Sequence, residues 1–221
     1  AYSVLQDTQA QLIQSAKLAA IGELVAGIAH ELNNPLTGVW GLSQLIVQKD
    51  LDAEMRGDME LIASEAIRAI NIVKNLLSFA RRQAPEKTWA SANEALEKIL
   101  ELRDYEMRVN DVEVERDMQS DLPLAWIDSN QLQQVFLNII MNAEQAMIEA
   151  HSGGKLLVKT WTVGETIRIA LTDDGPGIPQ EILDKVFDPF FTTKEVGKGT
   201  GMGLSLSYGI VQEHGGRIWV E

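Results

Sequence analysis

The chain of 221 residues contains no cysteine, which excludes disulfides, thiolate metal sites and cysteine nucleophiles and accords with a cytoplasmic setting. It also lacks an apolar run approaching the roughly 18 to 20 residues of a membrane-spanning helix, and no signal peptide opens it. The segment is expected to be soluble and free of membrane contact, which leaves room for a longer, membrane-anchored parent protein. A basic stripe is missing too: 19 Lys and Arg stand against 32 Asp and Glu, a net charge of -13, so nucleic acid is excluded as a partner. Internal repeats and low-complexity tracts are absent. What is present, 45% hydrophobic and 23% charged residues, describes a globular chain long enough for two modest domains.

From Val4 to Gln48 the pattern is helical. Leu18, Ile21, Val25, Ile28 and Leu32 alternate spacings of three and four, making one narrow apolar seam of the kind that pairs with another helix. At about 100° per residue, His30 projects roughly 160° from the centre of that seam and must face outward. Glu31 is its neighbour and Asn34 follows one turn later on nearly the same face. A titratable nitrogen nucleophile, a carboxylate and an amide thus gather on an exposed stretch, an arrangement suited to a phosphate-accepting histidine. An ordinary solvated histidine fits this cluster equally well. Pro35 should bend the helix just after His30. After a polar link around Lys49 to Ala53, a second helix runs to about Arg82, with a seam at Met59, Ile62, Ala66, Ala69, Val73, Leu76 and Ala80. Two such helices form an antiparallel hairpin, and pairing of two copies into a four-helix bundle buries both seams. Leu5, Leu12 and Ala19 continue the seam to the start, as a coiled coil arriving from an upstream module does.

Beyond Pro85 the texture changes to mixed helix and strand. Asn93 to Met107 reads as a helix, with Val112 to Arg116 and Leu124 to Ile127 as short strands. Asp128 is placed to cap the next helix, with Gln131 three residues on. That helix sets Leu132, Val135, Phe136, Ile139, Ile140, Ala143 and Met147 on one side and Asn138 and Asn142 on the other. Lys155 to Val163 and Thr166 to Thr172 alternate as a hairpin about Gly164-Glu165. The fold class is α plus α/β: a helical hairpin over 1–85, then over 86–221 a two-layer α/β sandwich with a largely antiparallel or mixed sheet.

Four clusters in the second half carry chemistry. Asn138 and Asn142 offer side-chain oxygens of the kind Mg²⁺ prefers, although two asparagines on a polar helix face are more often plain surface. Asp173-Asp174-Gly175-Pro176-Gly177-Ile178 follows a strand; an aspartate there can accept from the exocyclic amine of adenine, and Gly175 and Gly177 let the base lie against the backbone. An ordinary turn is the alternative. Phe187-Asp188-Pro189-Phe190-Phe191-Thr192-Thr193-Lys194 brackets a mobile segment with aromatics, and Lys194 offers a cation near phosphate; a hydrophobic plug anchoring a loop is the alternative. Gly199-Thr200-Gly201-Met202-Gly203-Leu204 opens into a helical pattern ending near His214, and its amides with the helix dipole can cradle phosphates. Neither the Walker A spacing nor the Rossmann fingerprint is met.

His30 to Leu36, Asn138 to Asn142, Asp173 to Ile178, Phe187 to Phe191 and Gly199 to Gly203 resemble, in family order, the five signature boxes of sensor histidine kinases. The match covers almost the whole chain and is most similar to the nitrogen-regulation type. The resemblance implies a dimerisation and histidine-phosphotransfer hairpin followed by a Bergerat-type ATP-binding domain, the type shared with DNA gyrase. It further implies ATP and Mg²⁺ as cofactors, with Asp173 on adenine, Asn142 and secondarily Asn138 on Mg²⁺, and residues 188–203 as a lid. His30 is then the phosphoryl acceptor, Glu31 holds its Nδ1–H so that Nε2 attacks, and Asn34 orients water for a reverse, phosphatase reaction. The implied partners are a second copy, an upstream sensor module and the aspartate of a response regulator. Many members carry a basic residue three positions after the Mg²⁺ ligand, where this chain has Gln145. Members also continue through a further strand beyond the position of Glu221, so the chain reads as truncated at both ends. Two other classes stay open, a catalytically dead dimeric scaffold and a gyrase-type ATPase without phosphotransfer.

Overall fold

The computed structural model describes residues 32, 34–49, 52–80, 85–194 and 199–221, and only the backbone at 71, 72 and 74–80. His30, Glu31 and the expected coiled-coil seam at Leu5, Leu12 and Ala19 lie outside the described residues, and so does the point at which Pro35 should bend the helix. The chain divides into two compact units, Ala1–Gln83 and Ala84–Glu221. Among the described residues no helix is long and apolar enough to cross a membrane.

In the first unit, helix α1 (34–47) turns into α2 (Ala53–Ala80) through a link that satisfies the bare ends of both. Asp52 Oδ1 accepts from the Met55 amide at 2.8 Å, an N-cap that occupies one of the orphan donors of α2. Arg56 reaches back to donate to the Val47 carbonyl at 3.0 Å and the Lys49 carbonyl at 3.4 Å, closing the carboxyl end of α1. Further along, Leu36 and Val39 face Leu61, Ile62, Glu65 and Ala66 across an apolar groove, so the helices run antiparallel. Ala66 and Val73 of the expected seam are buried, but Ile62 is 41% exposed and Ala63, off the seam, takes a buried place. Leu42, Leu45 and Leu61 also stand exposed, because one hairpin has too little core to cover two apolar faces.

The second unit runs β1 (Thr88–Ala90), α3 (Ala92–Val109), β2 (Val112–Met118), β3 (Ala125–Ile127), α4 (Ser129–His151), β4 (Gly154–Val163), β5 (Thr166–Asp173), a 3-10 turn (Gln180–Lys185) and α5 (Gly203–Glu213). Its sheet is mixed: β2 lies parallel to β4, and β4 pairs antiparallel with β5 through the hairpin from Val163 to Thr166. Gly164 takes φ 60 there, a conformation glycine adopts at low cost. β1 pairs with β3 in a separate two-stranded sheet, Trp89 opposite Trp126. Strand β1 has no counterpart in the sequence reading, because three residues without alternation give no period to detect.

The core fills between the two helices and one sheet face. Leu96, Leu100 and Met107 of α3 meet Phe136, Ile140 and Met147 of α4 over Leu156 and Val158 of β4; each such side chain contributes about 1.5–3 kcal/mol on burial. Into this contact α4 also carries a carboxylate. Glu144, 4% exposed, accepts from Arg103 Nη2 at 2.7 Å and from Asn110 Nδ2 at 3.1 Å, joining α4 to α3 by a polar pin.

Asp128 caps α4 as expected, Oδ1 accepting from the amides of Asn130 and Gln131, while Oδ2 accepts from the Glu86 amide at 2.9 Å. Its own amide donates to His214 Nε2 at 2.9 Å, and His214 Nδ1 lies 2.8 Å from the Ile210 carbonyl. An amide can only donate, so Nε2 is the acceptor and Nδ1 carries the proton. His214 thus ends α5 and ties it to the start of α4.

Candidate functional site

Helix α4 presents Asn138, Asn142, Gln145 and Glu149 along the side opposite its core residues, at spacings of four, three and four that keep them on one face. Their surroundings differ. Asn138 Nδ2 donates to the Gly203 carbonyl at 3.1 Å and lies 3.3 Å from Ser207 Oγ, so its amide nitrogen is spent on holding the first turn of α5. Asn142 Oδ1 instead faces a cation, accepting from Lys194 Nζ at 3.4 Å, and Gln145 Oε1 accepts from the same ammonium. Burial lowers the Lys194 pKa below its ordinary value, with the Glu149 charge acting the other way. Carboxamide oxygens already carrying an ammonium are chemically fit for a hard metal cation.

At the end of β5, Asp173 is half-buried, and its Oδ1 accepts from the Gly175 amide at 3.0 Å. That bond fixes the carboxylate's orientation, and its second oxygen accepts no hydrogen bond among the described residues. A Cβ at 175 would lie 2.6 Å from Asp173 Oδ1 and 3.3 Å from Ala146 Cβ, so only glycine fits between strand end and helix. Gly177 takes φ 73. Asp174 turns away and accepts from the Lys155 amide at 2.9 Å, so one of the two adjacent carboxylates is tied to β4 while the other is held by its own turn.

The third and fourth clusters form the two arms of one loop. Phe187 packs on Tyr208 of α5 with ring centroids 5.7 Å apart, an aromatic anchor, while Phe190 is exposed at φ 67. Gly201 takes φ 63, and a Cβ there would run into the backbone of Phe190; one at Gly199 would lie 2.5 Å from Thr192 Oγ1. These glycines are therefore required where the arms touch, a packing reason the sequence reading did not supply. Gly203 differs, since a Cβ there would meet Asn138 at an ordinary 3.6 Å. Leu204 is half-buried in the first turn of α5, whose amino end has no side-chain cap and leaves amides for an anion. Lys198 lies outside the described residues. Sequence reasoning missed the contacts of Gln145 with Lys194 and of His214 with Asp128, because each is completed by a residue far along the chain, and with them the local Gln145–Glu149 bond.

Residues 20–85 match the family model of the His Kinase A (phospho-acceptor) domain, and residues 127–221 that of the histidine kinase-, DNA gyrase B-, and HSP90-like ATPase. The sensor kinase CckA of Brucella abortus is 35% identical over 96% of this chain and 24% of its own length. The sensory histidine kinase/phosphatase NtrB of Vibrio alginolyticus is 34% identical over 96% of this chain and 61% of its own. The chain thus spans between about a quarter and three fifths of such relatives. Among solved structures, the catalytic domain of the histidine kinase ThkA is 31% identical over 61% of this chain and 86% of that one, TM-score 0.54. ThkA in complex with the response regulator protein TrrA matches 96% of this chain and 61% of that one at 25% identity, TM-score 0.65. With a phospho-acceptor hairpin and an ATPase unit following each other in one chain, and the signature boxes carried on them in family order, the protein belongs to the sensor histidine kinase family.

Proposed function

We propose that this chain is an ATP-dependent protein-histidine kinase that autophosphorylates His30 and passes the phosphoryl group to an aspartate of a response regulator, with phosphatase activity toward that regulator. Residues 1–85 are the dimerisation and phosphotransfer hairpin and 86–221 the catalytic domain. The observation that carries the reading is Asp173, a carboxylate held in place by Gly175 with its other oxygen left to accept from the adenine amine. Asn142 is the Mg²⁺ ligand and Asn138 its neighbour in the site, with Gly177 under the base. Lys194 and the α5 amino end, with Gly199, Gly201, Gly203 and Leu204, face the phosphates. Mg²⁺ supplies charge neutralisation between phosphates when bound. Asn142→Asp sets a second negative charge beside the phosphates, and Asp173→Asn replaces the acceptor by an amide able to face adenine wrongly. Both variants should keep their circular dichroism and lose ATP-dependent labelling by about a hundredfold, as charge and hydrogen-bond mismatches at a nucleotide do. Labelling at the parental rate under subsaturating ATP removes the residue concerned from the site.

Phosphotransfer itself requires His30 Nε2 to form a bond to the γ-phosphorus as the bond to the bridging oxygen breaks and ADP leaves. Glu31 holds Nδ1–H and stabilises the positive charge that develops on the ring. Asn34, exposed on α1 one turn beyond His30, suits positioning water at the aspartyl phosphate of a docked regulator. Asn34→Ala should retain autophosphorylation and lose phosphatase activity, whereas Glu31→Gln should depress autophosphorylation at saturating ATP. Measuring both rates for each variant with one purified regulator checks this; normal dephosphorylation by Asn34→Ala contradicts it. The apolar side chains left exposed on the single hairpin support homodimerisation into a four-helix bundle, in a cytoplasmic setting below an upstream sensor module.

A further inference from the structure

Helix α4 contains neither Lys nor Arg over its 23 residues, so the face that carries Asn142 has no cation of its own for a triphosphate. The cation present there comes from 52 residues later in the chain. Lys194 Nζ donates to Asn142 Oδ1 and to Gln145 Oε1, and Gln145 in turn donates from Nε2 to Glu149 Oε1 at 2.8 Å. This last bond settles which way the Gln145 carboxamide points, because Glu149 as a carboxylate only accepts, leaving Oε1 for the ammonium. The neutral Gln145 carboxamide thus stands between Glu149 and Lys194, so the Glu149 charge reaches the ammonium as an attraction without a direct ion pair among the described residues, and Nζ stays beside Asn142.

We propose that Gln145, oriented by Glu149, is a positioning residue that seats Lys194 on α4, so that the cation facing the nucleotide phosphates is delivered by the loop and not by the helix. The inference rests on the ATP site assigned above and specifies which residue supplies its positive charge. A basic side chain at 145 and a lysine at 194 are then interchangeable sources of one charge.

The test uses the full chain and a fluorescent non-hydrolysable ATP analogue, with Mg²⁺ and without, alongside tryptic cleavage after Lys194 in nucleotide-free protein. Lys194→Gln should weaken analogue binding about tenfold, the loss of one charge-assisted hydrogen bond. Gln145→Leu should weaken it about threefold and speed cleavage after Lys194 several-fold, as release of a held side chain does. The double variant Lys194→Gln, Gln145→Lys should return to within about threefold of the parent, a coupling that a purely structural role for either residue does not produce. Parental affinity in Lys194→Gln, unchanged cleavage in Gln145→Leu, or a double variant as weak as Lys194→Gln overturns the proposal while the ATP site stands. A parent chain that binds no analogue overturns the ATP site itself and the proposal with it.

Discussion

His30→Gln is expected to abolish phosphoryl labelling of the chain while leaving nucleotide binding at the parental level. The sequence holds only three histidines, and the other two are engaged in the fold. His214 has both ring nitrogens in hydrogen bonds, one from the Asp128 amide and one to the Ile210 carbonyl. His151 closes α4 with Nε2 2.9 Å from the Asp174 carbonyl, which as an acceptor requires the proton on that nitrogen. His30 sits in the phospho-acceptor match and Asp173 and Asn142 in the ATPase match, so its replacement is expected to remove the proposed acceptor and leave the residues proposed to bind nucleotide unchanged. Acid-labile label persisting on the variant, measured beside an unchanged nucleotide Kd, contradicts the assignment.

The largest effect on stability is expected from Glu144→Ala. Its carboxylate is buried between α3 and α4 and answers Arg103 and Asn110 together, so truncation leaves the partly buried Arg103 guanidinium with only the looser contact to Glu106 at 3.8 Å. Breaking a buried pair from one side costs about 3–5 kcal/mol, whereas replacing both members by apolar groups is often neutral. Glu144→Leu combined with Arg103→Met should accordingly recover most of the loss. Four of the five tryptophans, Trp89, Trp126, Trp161 and Trp219, lie in the second unit, so urea unfolding followed by tryptophan fluorescence reads mainly that unit. A Glu144→Ala midpoint equal to the parent's shows that the pair contributes nothing.

Much of the second unit was legible because its signals are local. The alternation in β4 and β5, the cap at Asp128 and the apolar side of α4 each declare themselves within a few residues, and the structure places them as read. Strand β1 was not legible, since Thr88–Ala90 owes its conformation to pairing with Ala125–Ile127, a partner that no local period announces. In the hairpin the heptad pattern identified Ala66 and Val73 but placed Ile62 inside and overlooked Ala63, because a seam of small residues fixes its packing face only to within a neighbouring position. At the site, residue types were readable and their division of labour was not. Asp173 and Asp174 look alike in sequence, yet the Gly175 amide holds one and the Lys155 amide takes the other. Gly199 and Gly201 read as a phosphate cradle, and the structure adds the closer reason that the loop arms meet there.

Incubation of the parent chain with Mg²⁺ and ATP labelled on the γ-phosphoryl group, followed by separation of protein-bound label from free phosphate, tests the central claim most directly. A histidine kinase accumulates acid-labile, base-stable label on the peptide containing His30, and that label moves to a receiver domain when one is added. Release of free phosphate with no label on the protein contradicts the account and makes the chain an ATPase; neither label nor phosphate makes it a scaffold.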